Sequence, residues 1–503
     1  MTLAELVTAL GTGVTAVRGN VHADIRGATV DSRQVRKGDL FIAVSGTVAN
    51  GAQFIPDALA RGAAAIVADT SAPLRDCPMV IVDDAYTAAG RVAEILAGYP
   101  AREMRCLGVT GTNGKTTCAF LLQRILIASG RRCGLIGTVY YDTGDGKSEP
   151  ADRTTPPPFE LQRLMSDMRK NGCQDMVAEV SSHAASQRRF GGTRFAGAVF
   201  TNLTGDHLDY HRTEEAYFQA KVRLFVEGLE RGGIAVVNGD DPWGKKLTRL
   251  LGRERPDLRV RTFGFNKPAD DVIADYAADI NGLTFKLISG QSTLSLSSPV
   301  PGRFNAENIA AVASLALTLG CAPEAIVEAT RVFTGAPGRM WTVDLKNHAR
   351  AVIDYAHTDD ALKNVLQTLR ELNPKRLTVV FGCGGDRDRS KRPRMGRVAA
   401  ERADKLIVTS DNPRTEPPTL IINDICCGIH DGADYERIVD RRAAVRKALA
   451  EALPGEIVLI AGKGHEDYQE INGVRTHLDD LEEVEAFLKD CGDEGAMTTD
   501  LQE

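Results

Sequence analysis

The chain lacks several features that would assign it to a specialised class. It has no apolar run of transmembrane length. Its start, Met1-Thr2-Leu3-Ala4-Glu5-Leu6, has no basic segment ahead of an apolar stretch, so no secretory signal is expected. Leu3, Leu6, Val7 and Leu10 instead fall on one face of a helix. The ten cysteines are scattered and form no CxxC pair, and the adjacent Cys426-Cys427 lack metal-ligand spacing. Reduced thiols in a cytosolic protein are the expectation. Positive charge is not in excess: the net charge of −6 argues against a general nucleic-acid binder. No repeat of the solenoid kind is present. These absences predict a cytoplasmic globular protein, and 43% hydrophobic with 25% charged residues is the matching composition. A length of 503 residues exceeds one ordinary core, so roughly two to four domains are expected.

What is present is led by Gly111-Thr112-Asn113-Gly114-Lys115-Thr116-Thr117. The apolar stretch 106–109 precedes it and a helical pattern from Ala119 to Ile127 follows. Strand, glycine-rich turn and helix are the context of a phosphate-binding loop. Backbone N–H groups converge on phosphate oxygens there, and the helix N-terminus adds partial positive charge. Lys115 would reach the β- and γ-phosphates, and the Thr116 hydroxyl would hold Mg²⁺. Val109 stands where the strict pattern has glycine, so the loop is a variant.

Residues 1 to about 100 mix short strands (40–44, 65–68 and 79–82) with helices, and Tyr99-Pro100 marks a boundary. Strands then alternate with helices at 106–110, 134–139, 176–180, 197–203 and 233–238, the rhythm of a parallel sheet. Gly335-Ala336-Pro337-Gly338 reads as a second linker. A new α/β series follows, with strands near 350–355, 376–383, 405–410 and 456–461, and the polar stretch from Cys491 to Glu503 reads as a frayed tail. The third-series strands end in Asp354-Tyr355-Ala356-His357, Gly382 to Arg387, Asp411-Asn412-Pro413-Arg414 and Gly462 to Glu466. Ligands of open parallel sheets bind outside the carboxyl ends of the strands, so these four ends predict one pocket rich in both charge signs.

The middle segment carries a second cluster. Glu179-Val180-Ser181-Ser182-His183 ends one strand, and Phe200 to Thr204 runs into Gly205-Asp206-His207. Glu179 and His207 are donors for a second Mg²⁺, or else a salt-bridged surface carboxylate and a structural histidine. Lys221 lies four residues after Tyr217 on a helical pattern, where a snorkelling lysine is the plain reading. Asn305 and Asn308 fall on one side of an alanine-rich helix, where they either face an adenine edge or cap the helix.

Taken together and in order, these blocks resemble the Mur ligases of peptidoglycan synthesis. The markers are Thr110 to Thr117, Glu179 to His183, Thr201 to His211, Asn238 to Pro242, Gly302 to Asn308, Gly338-Arg339-Met340, Asp354 to Thr358 and Ala461 to Glu466, with Asp31-Ser32-Arg33 and Gly38 to Phe41 upstream. The resemblance implies an α/β protein of three domains. These are an N-terminal UDP-sugar domain (1–101), a central P-loop ATPase-like parallel-sheet domain (102–336) and a C-terminal Rossmann-like domain for the incoming amino acid (337–492), with a polar tail at 493–503. It implies that Lys221 is carbamylated by CO₂ and joins Glu179 and His207 around the second Mg²⁺. Gly111 to Thr117, with Asn305, Arg339 and Asp354, match ATP positions. Val30 and Ser32 match the uridine end of UDP-MurNAc-L-Ala-D-Glu, and Thr154, Thr155, Ser181, Gln187 and Arg189 match its other contacts.

Asp411-Asn412-Pro413-Arg414 resembles the branch that adds meso-2,6-diaminopimelate, with Arg387, Gly462 and Glu466 as further contacts. Arg414 would clamp the distal carboxylate, which L-lysine lacks. Two positions depart from the family pattern: Asp359 stands for a proline and Gly205 for a longer residue. The implied chemistry is ATP-dependent ligation through an acyl phosphate, by a protein expected to be a cytoplasmic monomer that takes no nucleic-acid partner. The alternatives are an L-lysine-adding homologue, a folylpolyglutamate synthetase-like ligase, or a nucleotide switch that ligates nothing.

Overall fold

The computed structural model describes residues 1–46, 50–205, 208–279 and 281–497, without the side chains of 208, 209 and 491–497. Three main sheets follow one another along the chain. The first orders Val14–Arg18, Met79–Val82, Ala65–Asp69, Asp39–Ala43 and Gly27–Thr29, with only the first of these strands antiparallel to its neighbour. Helix Leu3–Leu10 packs beside it, opened by a Thr2/Glu5 capping box and burying Leu3, Leu6 and Leu10 as the periodicity predicts.

The second sheet has eleven strands. Its parallel centre orders Arg259–Gly264, Leu229–Asn238, Phe195–Phe200, Arg105–Thr110, Asp175–Glu179 and Cys133–Ile136. Alternating residues feed two cores. Leu107, Val109, Val177, Val199 and Val236 face the helices Lys115–Ala128 and Arg303–Thr318, while Cys106, Ala178, Ala198, Ala235 and Val237 face the other side. At one edge Asp271–Asp279 adds parallel to Arg259–Gly264 and is followed by antiparallel Gly282–Ser289 and Ser292–Ser298; at the other, antiparallel Tyr140–Asp142 and Ser148–Pro150 extend the sheet.

The third sheet orders Trp341–Asp344, Arg350–Asp354, Ile457–Ala461, Leu377–Phe381, Lys405–Val408 and Tyr435–Arg437, parallel except at Trp341–Asp344. A separate hairpin pairs Tyr468–Ile471 with Val474–His477. The parallel strands expected of the second and third series are therefore present, and the buried strands expected at 40–44, 65–68 and 79–82 also pair in parallel. The last helix runs Asp480–Met497, past Cys491, where the sequence suggests a frayed tail. No helix among the described residues is long and apolar enough to cross a membrane.

Candidate active site

The carboxyl end of Arg105–Thr110 runs into the phosphate loop, which closes at Gly114 in a left-handed conformation (φ 86°) and opens helix Lys115–Ala128. A side chain at Gly114 would collide with Asn308 of the neighbouring helix. Thr112 to Thr117 line a cavity of about 630 Å³. The Lys115 ammonium folds back onto the carbonyls of Gly111 (3.0 Å) and Thr112 (2.7 Å).

Glu179 is fully buried. Its carboxylate accepts from the Thr116 hydroxyl (3.0 Å), the Thr138 hydroxyl (3.0 Å) and the Thr138 backbone N–H (2.8 Å). The surface ion-pair alternative for Glu179 is thereby excluded. Thr116 and Glu179 together present a hydroxyl and a carboxylate, hard oxygen donors of the kind Mg²⁺ takes. Lys221 is 1% exposed, and its ammonium reaches the Gly111 carbonyl (2.7 Å) and lies 4.5 Å from the centre of the Tyr217 ring. A snorkelling lysine would reach solvent, so that reading is corrected. His207 lies outside the described residues.

The same cavity is lined by Asn305, Arg339 and Asp354. Asn305 does not cap its helix: Gly302 takes that position, and the Asn305 amide donates to the Pro301 carbonyl (2.8 Å). Arg339 stacks over Tyr355 (4.5 Å), its buried Nε having no hydrogen-bond partner among the described residues. Asp354 accepts from the backbone N–H groups of Met340 (2.8 Å) and Ala356 (2.9 Å), and burial raises its pKa.

A second cavity, lined by Val30, Gln187 and Arg189, lies between the first sheet and the middle segment. Thr154 and Ser181 line the first cavity instead. The two are joined by a chain of bonds. Arg189 grips Gln187 Oε1 (3.0 and 2.9 Å) and the Thr155 carbonyl, and the Thr155 hydroxyl reaches Ser181 (3.2 Å) and the Glu179 carbonyl (2.7 Å). Burial, with Arg153 nearby, lowers the Arg189 pKa to about 10. Ser32 does not line this cavity and bonds Asp57.

The third-sheet strand ends converge as expected. Asn412 donates to Glu466 (2.8 Å), Tyr355 donates to the other Glu466 oxygen (3.2 Å), and Gly462 N–H donates to the Asp354 carbonyl (3.0 Å). Tyr355 also lines the phosphate-loop cavity, so it links the two pockets. Asp411 is buried, which alone would raise its pKa, yet Arg441 and Lys463 hold it below the usual value. Glu466 is shifted upward by burial and by Asp411. Arg414 Nη1 donates to the Gly385 carbonyl (2.7 Å), Pro413 is buried beside it, and the exposed Arg387 and the Arg414 guanidinium both lie against the same face of Gly384.

Four contributing residues were not singled out from the sequence. Asp360 accepts from Asn113 (3.1 Å) and Thr204 (3.0 Å), tying the third segment to the phosphate loop. Its signal was local, an acidic residue in the first turn of a helix capped by Thr358. Glu307 lines the cavity with its pKa raised to about 7, by burial and by Asp240 and Asp241 against the pull of Arg303. Tyr355 was quoted only within a motif. Arg441, fully buried, pairs with Asp480 (2.7 Å) and holds the carbonyls of Ala461 (3.0 Å) and Ser410 (3.4 Å). Removing one partner of such a pair typically costs about 3–5 kcal/mol. Of the departures, Asp359 pairs with Arg394 (3.2 Å), while Gly205 is exposed.

Three family models match in sequence: the Mur ligase family catalytic domain over residues 24–97, the Mur ligase middle domain over 109–316 and the Mur ligase glutamate ligase domain over 338–464. A relative from Gloeobacter violaceus named UDP-N-acetylmuramoyl-L-alanyl-D-glutamate--2,6-diaminopimelate ligase is 45% identical, over 92% of this chain and 94% of its own. The chain belongs to the Mur ligase family. A Mur ligase of the same name from Thermosynechococcus vestitus is 42% identical over 97% of this chain and 98% of its own. A solved structure of a ligase with that name aligns at a TM-score of 0.69 and 35% identity, covering 98% of this chain and 99% of that one. The three-domain α/β architecture is thus that of the Mur ligases.

Proposed function

We propose that the chain ligates meso-2,6-diaminopimelate to the D-glutamate γ-carboxylate of UDP-N-acetylmuramoyl-L-alanyl-D-glutamate with ATP. The observation that carries this reading is the continuity of the three sites. The phosphate-loop cavity connects through Thr155 and Ser181 to the cavity at Val30, and through Tyr355 to Asn412 and Glu466. A sugar nucleotide, ATP and an amino acid have one meeting point. The names of the two relatives and of the solved structure described above supply the acceptor. The proposed division at 1–101, 102–336 and 337–492 has one main sheet in each part, while the helix Asp480–Met497 runs through the boundary proposed for a tail at 493–503.

The γ-carboxylate attacks the γ-phosphorus of ATP, releasing ADP and leaving an acyl phosphate. The amine of diaminopimelate then attacks the acyl carbon, and phosphate departs. Both partners of the first step are anionic, so charge must be screened. Lys115 turns from the loop carbonyls to the β- and γ-phosphates. Thr116 and Glu179 would hold a first Mg²⁺, and Glu179, His207 and Lys221, as a carbamate, would hold a second. Bound metal supplies charge neutralisation. For this role the neutral Lys221 amine adds CO₂ and loses a proton, giving a carbamate anion. Ser181, Thr154, Thr155, Gln187 and Arg189 position the peptide end of the sugar nucleotide, with Val30 at the uridine and the buried Ser32 behind the cavity wall. Asn305, Arg339 and Asp354 hold the nucleoside.

Asp411 and Glu466 meet the ammonium of the acceptor's distal centre, and Arg387 and Arg414 meet its carboxylate, with Asn412, Pro413 and Gly462 shaping the pocket. L-lysine would leave Arg414 unpaired. All groups come from one chain, which suits a monomer, and the substrates suit the cytoplasm. The test is ADP release with ATP and the UDP-dipeptide, comparing meso-diaminopimelate with L-lysine. Turnover only with diaminopimelate is expected. A preference for lysine would overturn the acceptor, and no turnover with either would return the nucleotide-switch reading.

A further inference from the structure

Arg414 sits in the left-handed region at φ 54°. A residue with a Cβ adopts that conformation only where its surroundings impose it, and such outliers gather at functional sites. The imposition comes from the hairpin formed by Tyr468–Ile471 and Val474–His477. The Arg414 N–H donates to the Glu470 carbonyl (3.0 Å), and the Asn472 N–H donates to the Arg414 carbonyl (2.7 Å). Both polar backbone groups of Arg414 are therefore held by one strand and its turn.

The hairpin grips the rest of the Asp411-Asn412-Pro413-Arg414 loop as well. The Gln469 amide donates to the Ser410 hydroxyl (3.0 Å) and the Asp411 carbonyl (2.7 Å). The Glu470 N–H donates to Asn412 Oδ1 (3.0 Å). The buried Lys463 ammonium donates to the Tyr468 carbonyl and lies 3.4 Å from Glu466. The hairpin is itself rigidly turned. Its two-residue loop is Asn472-Gly473 with φ 49° and 77°, the pattern whose twist matches paired strands. Ion pairing of Arg475 with Glu470 (3.4 Å), and its position over the Tyr468 ring (4.3 Å), clamp one strand to the other. Yet none of 468–477 lines either cavity.

We infer that this hairpin is the positioning element for acceptor selection, and that Gln469 is its principal positioning side chain. It sets the backbone of Arg414, and hence the direction of the guanidinium. The inference rests on the proposed diaminopimelate ligation. It requires that loosening the hairpin degrade recognition of the acceptor alone. A residue that merely stabilised the third domain would affect all three substrates together.

The test is steady-state kinetics of full-length Gln469→Ala and Asn472→Pro beside the wild-type chain, with thermal unfolding of each. Gln469→Ala removes two side-chain hydrogen bonds, and Asn472→Pro both removes the donor to the Arg414 carbonyl and breaks the hairpin turn, because proline cannot adopt the φ of 49°. Each should raise KM for meso-diaminopimelate by about tenfold, the scale of one or two hydrogen bonds. KM for ATP and for the UDP-dipeptide should stay within about twofold, and the preference over L-lysine should narrow. An unchanged diaminopimelate KM in Gln469→Ala, or a parallel rise in all three KM values with a lowered Tm, overturns the inference. Wild-type failure to use diaminopimelate would instead sink the functional reading itself.

Discussion

At the scale of the residue, the site depends on ionisable groups held away from water. Lys221 is the clearest. Its side chain is enclosed, and its amine points at a phosphate-loop carbonyl rather than at solvent. If it acts as a carbamate, Lys221→Ala removes an anion, and kcat should fall by at least about 10³-fold. Short carboxylic acids should restore part of the activity, and a fully active alanine variant would refute the assignment. Glu307 gives a second, independent test. Its pKa rises from 4.5 to about 7 on burial, so the folded chain holds a proton that the unfolded chain releases. Stability from this group is then lost as pH rises from about 4.5 to about 7. Glu307→Gln should match the wild type near pH 4 and exceed it at pH 8, by about 3 kcal/mol at most. Denaturant unfolding at the two pH values measures this, and an equal difference at both would exclude a proton held by Glu307.

At the scale of the element, legibility followed how local the cause was. The parallel strands were readable because both faces are buried, which writes a continuous apolar run such as Leu377–Phe381. Asp271–Asp279 and Ser292–Ser298 were not, since they alternate small or polar residues and are half covered. The hairpin at 468–477 escaped notice although Asn472-Gly473 is a strong turn signal, because its strands carry mostly polar, exposed residues. The phosphate loop was legible in full, since its chemistry is contiguous. Residue spacing alone left Lys221 a surface lysine, and only the family resemblance moved it into the site. Burial of Arg441 against Asp480 was illegible, because thirty-nine residues separate them and the partner comes from another helix. Glu307 was hidden for a related reason: its burial and the nearby Asp240 and Asp241 come from the tertiary fold, and only Arg303 comes from its own helix.

At the scale of the whole molecule, the issue is how the third domain is brought to the phosphate loop. The structure shows it docked. Helix Asp359–Glu371 aims its first turn at the phosphate loop, and Asp360 accepts from Asn113 and Thr204 while Asn364 of the same helix donates to it (3.3 Å). Gly338 (φ 67°) passes so close to Gly464 and His465 that no side chain fits. Burial and the proximity of Arg339 lower the His465 pKa to about 4, so its ring is neutral where it meets the middle domain near Thr138. Closure by this domain would exclude water and complete the site. Asp360 is then a contact that favours the closed arrangement, and its loss should shift the population towards an open one. Asp360→Ala should show a larger radius of gyration by solution scattering without substrates, with compaction recovered when ATP and the UDP-dipeptide are added. Its kcat should fall by about tenfold, because the acceptor pocket is delivered less often, while KM for the UDP-dipeptide, bound largely by the other two domains, should hold. Identical scattering and identical kcat in the variant would show that docking does not depend on this carboxylate. Wild-type scattering that never changes with substrates would remove domain closure from the mechanism altogether.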